Sequence, residues 1–147
     1  MDWFVSRFIR ASVAWLALGT TLGLCMAIHP AWIMYRPAHV HMNLVGFVSM
    51  MIFGVAYHVA PRFSGHALWS RALPGYHWWI SNTGLAAMAA GFALQPHAGL
   101  HGPALLISGG VLETVGAYLF AYNIWRTIGA AAPVARPVTG RPLPVRA

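Results

Sequence analysis

The sequence has 147 residues, of which 59% are hydrophobic and only 7% are charged. A soluble domain carries about a quarter of charged residues, so this chain lacks the polar groups for a water-facing surface and is predicted to be a small membrane domain. The net charge of +7 comes from arginines scattered between apolar segments, a pattern that excludes a nucleic-acid-binding patch.

Four apolar segments predict an all-α membrane protein with four transmembrane helices in an up-down bundle. Each segment is long enough to cross a hydrocarbon layer of ~30 Å. The first is expected to be a retained span, because no polar cleavage region follows it. Proline-containing breaks, among them Pro61, are expected to end the first three helices. The predicted helices within the 1–128 domain span about residues 7–28, 38–59, 75–94 and 104–128, and the Pro- and Arg-containing tail 129–147 is predicted to be disordered.

The arginines predict the orientation in the membrane. One side of the predicted bundle has a single arginine, Arg36, whereas the other side has eight. Because arginine-rich flanks stay in the cytoplasm, both termini are predicted to be cytoplasmic in a bacterial-type inner (plasma) membrane. The eight arginines of that side are Arg7, Arg10, Arg62, Arg71, Arg126, Arg136, Arg141 and Arg146.

The stretch 36–65 contains the histidines that need the most explanation, because a histidine in a lipid-spanning segment is costly. His39 and His41 are two residues apart, so a helix turns them about 200° from each other. They cannot face the same buried ligand, and if His41 points into the bundle then His39 is expected to point away or to lie near water. His41 is a candidate haem ligand. Arg36 is a candidate partner for haem propionates, with interfacial snorkelling as the alternative.

Other polar residues in and beside the predicted spans leave several interpretations open. Glu113, the only acid within a predicted span, is a candidate proton-carrying or hydrogen-bonding site near the bilayer centre. The alternative is a packing role through a bond to a nearby hydroxyl. His58 and His77 are candidates for a second haem or quinone site, with an interfacial position as the alternative. The hydroxyls considered as partners of Glu113 belong to Thr20, Thr21, Ser49 and Thr83.

The histidines predicted at the outer end of the bundle could instead bind copper or zinc, since imidazole is a ligand of both metals. They are His29, His39, His41, His97 and His101.

A family resemblance follows from three segments. His41-Met42-Asn43-Leu44, followed by Gly54-Val55-Ala56-Tyr57-His58, resembles the second helix of subunit I in the haem–copper oxidase superfamily. The nearest similarity is to nitric oxide reductases and C-family oxidases. Residues 68–85 resemble the third helix of subunit I, and residues 119–127 resemble the end of its fourth. The resemblance implies that His41 is a ligand of low-spin haem.

A second resemblance covers mainly the second helix. His39 and His41 with Gly46-Phe47, Gly54 and residues 61–65 are similar to membrane haem proteins associated with nitric oxide stress. Both resemblances imply haem, and both include His41; the haem is expected to be b-type.

Subunit I continues through many further helices, which carry its second low-spin haem ligand and its haem–copper centre. The resemblance therefore implies that this chain does not form a binuclear centre by itself, and whether it is an enzyme stays open. The sixth haem ligand is expected from His29, His97, His101, a second copy in a homodimer, or a partner in a larger respiratory complex. The expected function is electron transfer or binding of NO or O2. The alternatives are a cofactor-free oxidase subunit or assembly factor and a copper- or zinc-binding protein.

Overall fold

The computed structural model describes residues 2–97, 99 and 101–129. Every regular element in these residues is helical, and they contain no strand, so the predicted all-α class is confirmed. The predicted disordered tail lies almost entirely outside the described residues. The elements are α1 (Trp3–Ile28), a 3-10 segment (Pro30–Tyr35), α2 (Arg36–His41), a π-helical segment (Met42–Ser49), α3 (Met50–Ser64), α4 (Leu73–Leu94) and α5 (His101–Ile128).

The 3-10 segment, α2, the π-helical segment and α3 follow one another without a break as a 35-residue helix, Pro30–Ser64. The prediction that Pro61 ends this helix is wrong, because Pro61 lies inside α3. Proline removes one backbone hydrogen bond, and that loss near the end of a helix is not enough to stop it. The helix ends instead at Gly65, whose φ of 71° is the left-handed conformation that glycine adopts readily at a helix C-terminus.

Three helices are apolar and long enough to span a membrane, namely Trp3–Ile28, Pro30–Ser64 and His101–Ile128. Helix α4 has 22 residues, about 33 Å at 1.5 Å per residue, so its length is sufficient. It is not among these three spans, and it carries polar side chains such as His77, Ser81 and Asn82. The chain is therefore a multi-pass membrane protein by these criteria, and the four-span up-down topology stays a prediction.

Helices α4 and α5 pack with their backbones in close contact. The glycines of α5 at positions 102, 109 and 116 are buried and recur every seven residues, or about two helical turns. A Cβ atom added at Gly109 would lie 2.6 Å from the carbonyl oxygen of Gly84. One added at Gly102 would lie 2.7 Å from Cα of Gln95. Small residues that let two backbones approach are a common packing device in membrane helices, and here they fix α5 against α4.

Helix α1 packs along the π-helical segment and α3. Gly46 lies against Trp15, and Gly54 lies against Phe8. Around this contact, Phe8, Met50, Tyr57 and Leu85 form the centre of the hydrophobic core, and each has a relative exposure of 0%. The core thus joins α1, α3 and α4, while most of the surface of α5 stays exposed for lipid.

The connection between α3 and α4 is fastened to α5 by side chains that the sequence did not suggest. Asn123 is fully buried, and its amide accepts a bond from the Ser70 backbone N–H and donates one to the Ser70 carbonyl, both at 3.0 Å. The hydroxyl of Thr127 accepts a bond from the Trp69 backbone N–H at 3.1 Å. These bonds satisfy the backbone of the connection and hold it on the last two turns of α5.

Candidate functional site

The π-helical segment begins directly after His41 and runs for eight residues, Met42–Ser49. Such segments are rare, usually comprise a single turn, and occur frequently at functional sites. The Ser49 hydroxyl donates to the carbonyl of Leu44, five residues earlier, at 3.0 Å. The sequence predicted an ordinary α-helix here, and no local residue pattern announces the change in winding. The site predicted around His41 therefore lies at an unusual point of the backbone.

His41 projects toward α4, where its ring lies 4.7 Å from the Phe92 ring between centroids. Its Nδ1 is 2.8 Å from the carbonyl oxygen of Pro37. Since a carbonyl can only accept, Nδ1 carries the proton, and Nε2 of a neutral ring presents its lone pair. A backbone carbonyl that fixes one imidazole nitrogen in this way is typical of histidines that bind metal through the other.

His39 projects toward α1. Its Nδ1 donates to the carbonyl oxygen of Gly19 at 2.7 Å. The ring lies close beside α1, because a Cβ atom added at Gly23 would be 2.7 Å from its Cε1 and 3.6 Å from its Nε2. The expectation that His39 points away from the bundle or lies near water is therefore wrong, because the ring is bonded to α1 through the Gly19 carbonyl and lies beside Gly23, which has no side chain to collide with it. The expectation that His39 and His41 face different directions agrees with these contacts.

Arg36 is the first residue of α2 and is exposed. Within the described residues the one ion pair joins Arg71 and Asp2, so Arg36 is not paired with an acid there. Five residues separate it from His41, which turns the two side chains about 140° apart on a helix. A contact between Arg36 and a group bound at His41 therefore requires the long side chain to reach around the start of α2.

The remaining histidines of this end do not gather around His41. His29 and His101 are exposed, and Nε2 of His97 bonds with the Tyr35 hydroxyl at 3.0 Å. In the described part of the chain, no three side chains of His, Cys, Asp or Glu come together as a metal site would require. The predicted copper or zinc cluster therefore has no support in the arrangement of these residues.

The opposite half of the molecule differs more from the predictions. His58 is half-buried, but His77 is fully buried at 0% exposure, so the interfacial interpretation of His77 is wrong. Glu113 lies beside the Ser81 hydroxyl and the backbone of Leu85. The prediction that one of four other hydroxyls bonds Glu113 is wrong. The hydroxyls of Thr20, Thr21 and Ser49 donate to carbonyls of their own helices, and Thr83 is exposed.

Two residues of this half, Tyr57 and Ser81, were not singled out from the sequence. Tyr57 is buried at 0% exposure and bonds His77, and Ser81 is buried at 1%. The four-residue spacing of His77 and Ser81 places them on one face of α4. Together with the seven-residue repeat of glycines in α5, that spacing is the signal that would have pointed to a buried polar face.

Comparisons with known proteins support the predicted resemblance. The chain is 26% identical to the cbb3-type cytochrome c oxidase subunit CcoN1 of Stutzerimonas stutzeri, over 88% of this chain and 34% of the relative. It is 25% identical to cytochrome c oxidase subunit 1 of Rhodobacter capsulatus, over 84% of this chain and 29% of the relative. A cytochrome c oxidase subunit 1 homolog (bacteroid) of Bradyrhizobium diazoefficiens is 27% identical, over 94% of this chain and 31% of the relative.

The chain is similar to cytochrome c oxidase subunit I. The similarity extends over nearly the whole of this chain, which agrees with the resemblance predicted from three segments. No family model matches the sequence. The chain spans about a third of the length of the curated relatives it matches. It is therefore a membrane protein related to respiratory oxidases, and the activity of a whole oxidase does not follow from the similarity.

Proposed function

We propose that this chain is a membrane-embedded, cytochrome-like protein that binds b-type haem through His41. The observation that carries the proposal is the bond between His41 Nδ1 and the Pro37 carbonyl at 2.8 Å. It sets the tautomer that leaves Nε2 available to iron, and it does so beside the rare π-helical segment. When bound, haem would supply one-electron redox chemistry or a site for a small gas such as NO or O2.

Several features of this chain fit one face of a haem. Phe92 provides an aromatic wall beside the His41 ring, and Arg36 provides a guanidinium that suits propionate carboxylates. His39 fits less well, because its ring is packed against α1, where Nδ1 is bonded to the Gly19 carbonyl and the ring lies beside Gly23. We therefore assign the ligand role to His41 and a packing role to His39.

The second axial ligand is proposed to come from another polypeptide. Three further histidines were predicted at the same end of the bundle as His41. Of these, His29 and His101 are exposed, and His97 is bonded to the Tyr35 hydroxyl. Since the chain spans about a third of its relatives, a second copy or a larger respiratory complex is the natural source of the missing wall. A homodimer would bring two His41 side chains to related positions. The expected setting is the bacterial inner membrane, with both termini in the cytoplasm.

The test is the absorption spectrum of the purified full chain after expression with added haem precursor. We expect a Soret band in the wild type, its loss in His41→Ala, and its retention in His58→Ala. The second variant is a matched control, because His58 is also a half-buried histidine of the same continuous helix. A Soret band that survives His41→Ala, or that disappears equally in both variants, would contradict the assignment.

The same preparation separates the other candidate functions. A cofactor-free subunit or assembly factor would show no Soret band in the wild type while copurifying with a larger oxidase. A copper- or zinc-binding protein would show stoichiometric metal in elemental analysis, and this metal would be lost in a variant that lacks His29, His97 and His101 with the haem spectrum intact.

A further inference from the structure

A cavity with a cationic wall lies where α5 ends, and we call it the Arg126 cavity. Its volume is about 410 Å³, and it is lined by Trp69 from the connection between α3 and α4 and by Trp125, Arg126 and Gly129. Helix α5 ends at Ile128, so the cavity lies at the level where a spanning helix leaves the hydrocarbon layer. Tryptophan and arginine at this level are typical of residues that contact lipid headgroups.

The wall that Trp69 forms is held in place by contacts with α5. Its backbone N–H donates to the Thr127 hydroxyl at 3.1 Å, and its ring meets the Tyr122 ring edge to face at 5.0 Å between centroids. Cζ of Arg126 lies over the Trp69 ring, 5.1 Å from its centroid, where the ring attracts a cation. A guanidinium held above a ring keeps N–H groups available to bond an anion.

The positive charge of Arg126 has no acidic partner among the described residues. The sequence contains two acidic residues. Asp2 is paired with Arg71, and Glu113 lies thirteen residues before Arg126 in the same helix, or about 20 Å along its axis. The dipole of α5 favours a cation in the last turn, but it does not account for the cavity beside Arg126. An anion that pairs with Arg126 is therefore expected from another molecule.

Two apolar grooves continue from the Arg126 cavity along the bundle. The first has a volume of about 480 Å³, shares Trp125 and Gly129 with the cavity, and continues along α5 past Ile128 and Ile124 to Ala121. The second has a volume of about 390 Å³, shares Ile124 and Ile128 with the first, and extends onto α3. The three spaces thus pass from a cationic end to two apolar grooves. A phospholipid has the matching order, with an anionic phosphate followed by two acyl chains.

We propose that the Arg126 cavity and the two grooves form a binding site for a phospholipid with an anionic headgroup. Arg126 donates to the phosphate, Trp69 and Trp125 border the headgroup, and the acyl chains lie in the grooves on α5 and α3. The site belongs to the end of the bundle that is predicted to face the cytoplasm, where anionic lipids attract basic segments. A zwitterionic headgroup binds less tightly, because its own cation competes with Arg126 for the phosphate. The site does not depend on haem at His41.

The experiment is native mass spectrometry of the purified full chain, released from micelles that contain phosphatidylglycerol or phosphatidylcholine with identical acyl chains. The fraction of protein with bound lipid is measured as the lipid concentration rises. We expect the wild type to bind phosphatidylglycerol about tenfold more tightly than phosphatidylcholine, the factor that corresponds to one hydrogen bond between charged groups. Arg126→Gln is expected to abolish this preference.

Arg7→Gln is the matched control. Arg7 is also exposed and also lies over a tryptophan, with Cζ 4.9 Å from the Trp3 centroid, but it lines none of the three spaces. It is expected to keep the preference for phosphatidylglycerol. Equal binding of the two lipids by the wild type, or an equal loss of preference in both variants, would overturn the proposal.

Two further measurements distinguish a lipid from free phosphate. Ala121→Phe fills part of the first groove and is expected to weaken the binding of both lipids, whereas Ala104→Phe makes the same change at an exposed position near the other end of α5 and is expected to have no effect. Inorganic phosphate is expected not to displace phosphatidylglycerol, because it lacks acyl chains. Displacement by inorganic phosphate, or unchanged lipid binding in Ala121→Phe protein that circular dichroism shows to be folded, would contradict a lipid site. None of these results affects the Soret test of His41.

Discussion

Close packing of α4 on α5 can be tested with two adjacent glycines of the same helix. In Gly109→Ala the new Cβ would lie 2.6 Å from the Gly84 carbonyl oxygen and 2.7 Å from the Met88 backbone nitrogen. Both are backbone atoms, so relief requires the two helices to move apart. In Gly110→Ala the new Cβ meets nothing within 4 Å. The second variant therefore has the same chemical change without the clash.

The magnitude follows from the difference between the two variants. Each gains roughly 0.5–1 kcal/mol because alanine favours a helix over glycine, and this gain cancels in the comparison. Overpacking a tight contact costs about 1–3 kcal/mol, so Gly109→Ala is expected to be less stable than Gly110→Ala by that amount. The assay is reversible unfolding in mixed micelles, followed by circular dichroism. Equal midpoints for the two variants would refute the backbone contact between α4 and α5.

Two further predictions concern side chains that fasten one element to another. Asn123→Ala leaves the Ser70 N–H and carbonyl without their partners, so we expect a loss of about 2–4 kcal/mol in the free energy of unfolding, and an unchanged midpoint in the same unfolding assay would contradict this role. Gly23→Val places a side chain where the His39 ring lies, 2.7 Å from the added Cβ, so we expect a loss of about 1–3 kcal/mol. If His39 packs and His41 binds haem, folded Gly23→Val protein keeps its Soret band, and a lost band in folded protein would show that His39 belongs to the haem site.

The helical segments could be predicted from the sequence, because long apolar runs are a local feature of the chain. The end of α3 was predicted at the wrong residue, because the prediction considered Pro61 and not Gly65. Proline disfavours the interior of a helix more strongly than glycine does, but Pro61 removes only one hydrogen bond from a long apolar helix. Gly65 adopts the left-handed conformation, and this conformation ends the helix. The π-helical segment was not predictable for a different reason. Its winding is not specified by any short motif in the sequence, and the segment packs along α1.

Histidine positions were predictable in direction but not in environment. The geometry of an ideal helix separated His39 from His41 correctly, because that separation depends only on residue spacing. It could not show that the Gly19 carbonyl of α1 accepts a bond from His39 or that Gly23 makes room for the His39 ring. His77 illustrates the same limit, since its burial depends on three aromatic residues from other helices. Tertiary contacts between distant segments decide which polar residues of a membrane helix face lipid, water or protein.

The glycine repeat of α5 and the burial of His77 and Ser81 are consequences of one packing arrangement. Gly109 brings the two backbones together, and Gly116, two turns later, leaves the space into which Ser81 and the edge of His77 fit. If the helices were held further apart, lipid or bulk water would reach these groups. If an alanine replaced Gly116, its Cβ would collide with the Ser81 hydroxyl. The close contact that Gly109→Ala disturbs is therefore the same contact that encloses Ser81 and the edge of His77.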